Sequence, residues 1–141
     1  MSAPVVRFRV DFAKGSNVGP GKIALLEAIR KSGSLSQAAR DLGMSYRRAW
    51  LLVDSLKRAF RERVTVASTG GKGGGGVQLT AFGETLIDSY RNLDREIAKL
   101  ALRHLHEVIP AVVRHASTDA KSARRPVAAR PIVARPAAHR R

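Results

Sequence analysis

The chain has 141 residues, which allows one small domain with appendages. Its formal net charge is +15 and its isoelectric point is about 11.6, so polyanions such as nucleic acids are the favoured partners. The absence of cysteine excludes disulfides, thiol nucleophiles and thiolate metal sites. No apolar run approaches the roughly 20 residues of a membrane span and the first residues contain no apolar signal core, so we expect a cytoplasmic protein without a membrane partner.

The first two predicted elements are a strand and a helix. Apolar and polar side chains alternate over residues 5–12, which predicts a half-buried strand. A Gly-Pro-Gly break at residues 19–21 separates it from a helix over residues 22–31, which ends at Ser32 and Gly33. The side chains expected to be buried are Val6, Phe8, Val10 and Phe12 in the strand and Ile23, Leu26, Ala28 and Ile29 in the helix.

Residues 34–50 have the spacing of two helices that cross at a tight turn, as in a DNA-reading helix-turn-helix. Ser34 and Ser45 are suitable N-caps, and the second helix is expected to run to about Phe60. Ala39 is small enough for a close approach of the helices, and Gly43 can adopt the positive φ of a sharp turn. The side chains expected between the helices are Ala38, Leu42, Met44, Ala49 and Leu52. An ordinary helical hairpin is the alternative interpretation.

The outer side of the second helix is the predicted DNA-reading surface, and it carries Tyr46, Arg47, Arg48, Trp50, Leu51 and Asp54. Arg47 is the best candidate for base-edge hydrogen bonding, because its planar fork can bind guanine O6 and N7, and Tyr46 can offer a hydroxyl or a ring edge. Arg48 and Ser45 are expected to contact phosphates. From flanking elements, the further expected DNA contacts are Lys22, Thr69 and Lys72. Trp50 can either reach the groove or pack against the fold.

Two short β-prone segments, residues 64–68 and 77–79, flank a glycine-rich stretch over residues 69–76. A hairpin after a helix-turn-helix is a wing, and its bare backbone at the tip can approach a phosphate chain or a minor groove closely. Lys72 is the only long side chain of this tip. A nucleotide-binding P-loop is a poor alternative, since Lys72 is followed by Gly73 and the strand-to-helix context is missing. A flexible loop without function is the other alternative.

A long helix is predicted over residues 81–108, capped by Thr80 and ended by Pro110. Its apolar residues are separated by four, three, four and three positions, which is the period of a coiled-coil seam and predicts a homodimer. The seam residues are Leu86, Tyr90, Leu93, Ile97 and Leu100. The alternative is a helix that folds back along its own domain. His104 and His106 fall on different sides of the helix, so we expect interfacial or surface histidines rather than metal ligands.

Residues 114–141 carry eight basic side chains, one acid and repeated Arg-Pro pairs, a composition typical of a disordered basic tail. Such a tail can act as an electrostatic arm for nucleic acid or be a passive extension. The predicted organisation is a winged helix-turn-helix DNA-binding domain over residues 1–79, a dimerisation helix over 80–110 and a disordered tail rich in Arg, Pro and Ala over 111–141. The fold class is therefore mainly α with a small β component.

A family resemblance rests on the order of these elements and on two segments of the sequence. These are GPGKIALLEAIRKSGSLSQAARDLGMSYRRAWLLVDSL and TGGKGGGGVQLTAFGETLI. Over about residues 4–105 the chain resembles the DNA-binding domain of the molybdate-responsive regulators of the ModE family, relatives of the LysR-type regulators. The resemblance implies a homodimer that binds palindromic operator DNA. Family members sense molybdate with C-terminal oxyanion-binding domains, whereas this sequence continues into the arginine-rich tail. We therefore expect no molybdate response from this chain, and any regulation to come from its abundance or from a separate sensor protein.

These features predict a sequence-specific transcriptional regulator that binds double-stranded DNA as a homodimer. A sequence-tolerant, nucleoid-associated DNA-binding protein is the alternative function. The carboxylates are scattered, no ligands have metal-site spacing, and no serine lies in a Gly-x-Ser-x-Gly elbow. We therefore expect no enzyme activity, no catalytic residue, no metal and no cofactor.

Overall fold

The structure of the protein is a computed structural model, and it describes residues 4–69 and 76–113. The described residues up to His106 form one compact unit, and the described residues from Glu107 to Val113 belong to a second. The described elements of the first unit are β1 (Val10–Ala13), β2 (Ser16–Val18), α1 (Pro20–Ser32), α2 (Leu35–Asp41), α3 (Tyr46–Ala59), β3 (Thr65–Ser68), β4 (Gly76–Leu79) and α4 (Ala81–Leu105). The described part of the second unit contains a short 3-10 helix, Ile109–Ala111.

The expected winged helix-turn-helix with a long following helix is confirmed. The predicted tail, residues 114–141, lies outside the described residues.

The N-terminal segment forms a hairpin that the sequence predicted only in part. β1 begins at Val10 rather than Val5 and pairs antiparallel with β2, which the prediction missed because three residues are too few to show a period. The alternating burial is confirmed for Val6, Phe8 and Val10. The expected burial of Phe12 is wrong, because the register shifts after Asp11 and carries the ring to the surface, where it meets the edge of Phe60.

Helices α1, α2 and α3 form the helix-turn-helix and its support, and their local signals are confirmed. Ser34 Oγ accepts a hydrogen bond from the backbone N–H of Gln37, and Ser45 Oγ accepts one from that of Arg48. Gly43 has φ +67°, the left-handed conformation that the turn requires. The expected burial of Leu42 is wrong, because this residue caps the end of α2 and its side chain is exposed at the turn.

Two hydrophobic clusters fix the orientation of α3. The first cluster contains Val18, Ile23, Leu26, Leu56, Val64, Ile87 and Tyr90. The second contains Leu25, Ile29, Ala38, Ala39 and Ala49. α3 contributes Ala49 to one cluster and Leu56 to the other, and both side chains are fully buried. Because it is anchored near both ends, α3 presents a defined face to solvent.

The hairpin of β3 and β4 is the predicted wing. The strands pair antiparallel from Thr65 opposite Leu79 to Ser68 opposite Gly76. One backbone hydrogen bond attaches the hairpin to the preceding part of the chain: the N–H of Val77 donates to the carbonyl of Gly33 at 3.0 Å. A second closes the base of the hairpin itself, from the N–H of Thr80 to the carbonyl of Val64 at 3.0 Å. The wing strands are therefore fixed against the turn that precedes α2. The glycine-rich tip at residues 70–75, with Lys72, lies outside the described residues.

Helix α4 begins at the predicted residue and ends at Leu105, three residues before the predicted end. Thr80 Oγ1 accepts a hydrogen bond from the N–H of Gly83, which confirms the cap, and the helix gives way to a turn after Leu105. Its first turns belong to the core of the same chain, because Ile87 is buried there beside Tyr90. The side chain of Leu86 packs against that cluster.

The predicted dimer seam is therefore wrong at Leu86 and Tyr90, because both side chains have partners within their own chain. Tyr90 is buried, its ring stacks on Phe8 at 4.7 Å, and its hydroxyl donates to the carbonyl of Phe8 at 2.7 Å. Farther along the helix the predicted seam residues are accessible to solvent. Leu93 is 42% exposed and Leu100 is 43% exposed, while Ile97 is half-buried. The alternative of a helix that folds along its own domain thus describes the first half of α4.

Candidate nucleic-acid interface

The solvent face of α3 carries the side chains that the sequence assigned to DNA reading. Tyr46 is 56% exposed and Trp50 is 50% exposed, and Arg47, Arg48 and Leu51 are also exposed. The opposite face holds the buried Ala49 and Leu56. The side chains expected on the outer face are therefore brought together at the surface of one helix, with Asp54 half-buried beside them.

The two arginines of the first turn of α3 are available to an external partner. Within the described ranges, neither Arg47 nor Arg48 takes part in an ion pair. The nearest acid on the same helix, Asp54, pairs instead with Arg58 at 3.2 Å. The guanidinium groups therefore keep their hydrogen-bond donors for a ligand such as a base edge or a phosphate.

Ser45 and Thr69 are both exposed; Ser45 is the N-cap of α3, and Thr69 directly follows β3. The Ser45 oxygen already caps α3, but its hydroxyl hydrogen can still donate to an acceptor. Trp50 belongs to the exposed set, so it does not form part of either hydrophobic cluster.

The expectation that Lys22 contacts phosphate is wrong. Lys22 is buried, and its ammonium donates to the carbonyl of Asn17 at 2.9 Å, to Asn17 Oδ1 at 3.1 Å and to Ser55 Oγ at 2.8 Å. Because an ammonium has three donors, none is left for a phosphate. Burial and, to a lesser extent, the nearby charge of Arg9 lower the pKa of Lys22. Lys22 instead ties β2 and α1 to α3.

An open groove of about 380 Å³ lies between α3 and the wing strands. Its sides are formed by Tyr46, Trp50 and Lys57 from α3 and by Arg63, Val66 and Val77 from the hairpin and the segment that leads to it. Lys57 and Arg63 are exposed cations that the sequence reasoning did not assign to the site. The signal was present in the four basic residues at positions 57–63, but two of them, Lys57 and Arg58, lie in the last turn of the helix, where cations also stabilise the helix dipole.

In the part of the chain that the structure describes, no group of three or more His, Asp or Glu side chains could hold a metal ion. None of the helices in residues 4–69 and 76–113 is both long and apolar enough to cross a membrane.

Comparisons with known proteins agree with this geometry. Residues 21–84 match the lysR family of bacterial regulatory helix-turn-helix proteins. The chain is 43% identical over 86 residues to the molybdenum-pterin-binding protein MopB of Rhodobacter capsulatus, covering 61% of this chain and 32% of that protein. It is 36% identical over 92 residues to the molybdenum transport protein ModE of Azotobacter vinelandii, covering 65% and 34%.

A third relative is the DNA-binding transcriptional dual regulator ModE of Escherichia coli K12, which is 44% identical over 71 residues, covering 50% of this chain and 27% of that protein. The chain thus spans about a third of the length of these relatives. The residues that match the lysR family, 21–84, contain helices α2 and α3.

Proposed function

We propose, on the premise that residues 21–84 are a lysR-type helix-turn-helix domain related to the ModE proteins, that this chain is a sequence-specific transcriptional regulator of double-stranded DNA. The observation that carries the proposal is the solvent face of α3, where Tyr46, Arg47 and Trp50 are exposed together while the opposite face is anchored in the core. A helix held in this way can enter a major groove without losing its packing.

The residue roles follow from side-chain chemistry. Arg47 donates two parallel hydrogen bonds to guanine O6 and N7, and Tyr46 contacts a neighbouring base edge. Trp50 and Leu51 offer apolar surface that suits a thymine methyl group or a sugar. Arg48, Ser45 and Thr69 hold the helix on the phosphates, and Lys72 does so from the wing tip.

The same proposal includes a homodimer joined through the distal half of α4. Leu93, Ile97 and Leu100 keep the seam spacing and remain exposed or half-buried, so a second copy of this helix can cover them. A dimer with two-fold symmetry reads two half-sites, which makes a palindromic operator the expected target.

Selection of bound duplexes from a random library tests this function. A sequence-specific dimer enriches an inverted repeat with half-site centres about 10 base pairs apart, or a multiple of that spacing. A library that remains random after several rounds, despite measurable binding, would instead support the sequence-tolerant, nucleoid-associated alternative.

The independence of this chain from molybdate stays a prediction. Titration calorimetry of the purified chain with micromolar molybdate should give only heats of dilution, and operator affinity should not change. A saturable isotherm would contradict it. If molybdate has no effect, a separate protein that carries the sensor is the proposed route of regulation.

A further inference from the structure

We infer that the ion-pair cluster of Glu27, Arg91 and Asp94 determines which spacing between two half-sites a dimer of this chain accepts. The cluster joins α1 to α4 and fixes the angle at which α4 leaves the DNA-binding module. The inference rests on the proposed function, since it requires a dimer joined through the distal half of α4. It assigns a positioning role to residues that lie outside the recognition helix α3.

The geometry of the cluster restricts the orientation of α4. Arg91 Nε donates to Glu27 Oε2 at 2.9 Å and Arg91 Nη2 donates to Glu27 Oε1 at 2.5 Å, while Arg91 Nη1 pairs with Asp94 Oδ2 at 3.2 Å. The hydrogen bonds from Arg91 hold the pKa of Glu27 below its usual range. Two parallel hydrogen bonds between one guanidinium and one carboxylate require a fixed orientation of the two planes, so a tilt of the helix breaks at least one of them.

The pair between Arg91 and Glu27 is partly shielded from water. Their side chains are 35% and 30% exposed, whereas those of the surface pair between Arg9 and Asp11 are 63% and 57% exposed. Exposed ion pairs contribute little, because water and salt screen them, while a bidentate pair of arginine and carboxylate within a network is the case in which the interaction matters. The cluster is therefore able to hold an angle between two helices.

The cluster lies where the part of α4 that packs on the core ends. Tyr90 is buried in the core of the chain, whereas Leu93, two residues beyond Arg91, is 42% exposed. Among the residues that the structure describes, Arg91 is the last of α4 whose side chain bonds to another element. Farther along, Lys99 pairs with Glu96 of the same helix at 3.6 Å. The proposed dimer contact thus begins directly beyond the cluster.

A small change of angle at this position has a large effect on the two recognition helices. In the proposed dimer, each DNA-binding module acts as a lever arm about the contact between the α4 helices. A tilt of about 10° over the roughly 20 Å of a small module displaces its far side by about 3.4 Å, which is the rise of one base pair. Loss of the cluster should therefore let the two modules meet half-sites at more than one spacing, with the contacts to each half-site unchanged.

Competition binding with spacing variants of the selected operator tests this inference. The duplexes keep both half-sites and lengthen or shorten the segment between them by one base pair, and the full chain is used throughout. The unaltered chain should prefer the selected spacing at least about tenfold, because adjusting a duplex to a rigid dimer costs deformation energy. Glu27→Gln and Arg91→Lys should reduce that preference to about threefold or less, since neither variant retains the bidentate pair. Both should bind a single half-site as the unaltered chain does and should sediment as the same dimer.

Glu84→Gln is the matched control, because Glu84 pairs with Arg30 at 2.9 Å and so also joins α4 to α1. This second pair lies at the first turn of α4, which the Thr80 cap already fixes to the module. The spacing preference of Glu84→Gln should equal that of the unaltered chain.

Three results would overturn the inference while leaving the proposed function intact. They are an unchanged spacing preference in Glu27→Gln, an equal loss of preference in Glu84→Gln, and weaker binding of Glu27→Gln to a single half-site with its preference kept. In the last case the cluster would only stabilise the module. An unaltered chain that enriches no inverted repeat would instead overturn the proposed function, and the spacing role with it.

Discussion

Arg47 is the residue on which the discrimination between DNA sequences is expected to depend most. It is exposed near the N-terminus of α3, and no acid in the described residues pairs with it. Arg47→Ala should cost about 1 to 3 kcal/mol of binding to the selected operator and relax the base preference at one position of each half-site. Arg48→Ala, one residue away, is the control and should weaken all duplexes alike. Competition binding with single-base operator variants measures both effects, and unchanged selectivity of Arg47→Ala would contradict the role.

Lys22 is important for stability rather than for DNA contact. Lys22→Met removes the donor to the Asn17 carbonyl, Asn17 Oδ1 and Ser55 Oγ, and should cost about 1 to 3 kcal/mol in the free energy of unfolding. Lys14→Met is the control, because Lys14 is exposed at the hairpin turn and should change that free energy little. Urea denaturation measures the difference, and equal stability of the two variants would refute the buried bridge.

The titration of Lys22 gives a pH dependence with a definite sign. Its pKa is lowered in the folded state, so below the ordinary lysine value of 10.5 the unfolded chain binds the proton more tightly. The contribution of Lys22 to the free energy of unfolding therefore rises with pH in the window just below 10.5. The gap between the parent and Lys22→Met should widen in this window, and a gap that narrows would contradict the lowered pKa.

At the scale of elements, Gly83 permits the contact between α4 and the wing. A Cβ at this position would collide with the carbonyl oxygen of Val64, which belongs to the backbone and cannot move aside cheaply. Gly83→Ala should lower the free energy of unfolding by about 1 to 3 kcal/mol. Gly21→Ala in α1 meets no atom within 4 Å and should raise it by about 0.5 to 1 kcal/mol, because alanine favours the helix. Thermal unfolding of both variants checks the signs, and two shifts of the same sign would disprove this packing.

The elements were predictable where their signals are local. Ser34, Ser45 and Thr80 cap helices through residues three positions away, and the period of α3 follows from its own side chains. The errors arose from contacts between distant positions. Lys22 is buried by Ser55, 33 residues away, and Tyr90 by Phe8, 82 residues away. The apolar spacing of residues 86–90 fits a coiled-coil seam equally well, because a helix that packs on the core of its own chain also has one apolar face.

At the scale of the whole molecule, the corrected seam restricts where a dimer can form. Leu93→Asp or Ile97→Asp would place a charge in the distal contact between two α4 helices, and should yield monomers with a folded winged module and weak operator binding. Ser89→Asp, an exposed position off the seam on the same helix, should leave the dimer intact. Sedimentation and circular dichroism measure assembly and folding. Sedimentation of the unaltered chain as a monomer at micromolar concentrations would contradict the proposed dimer.

The central claim is that this chain distinguishes one DNA sequence from others through α3. The most direct measurement compares its affinity for the selected inverted repeat with that for a duplex of the same length and composition in scrambled order, at physiological salt. The account predicts a ratio of at least about 1,000, as specific regulators show. A ratio near one, with equally steep salt dependence on both duplexes, would contradict it.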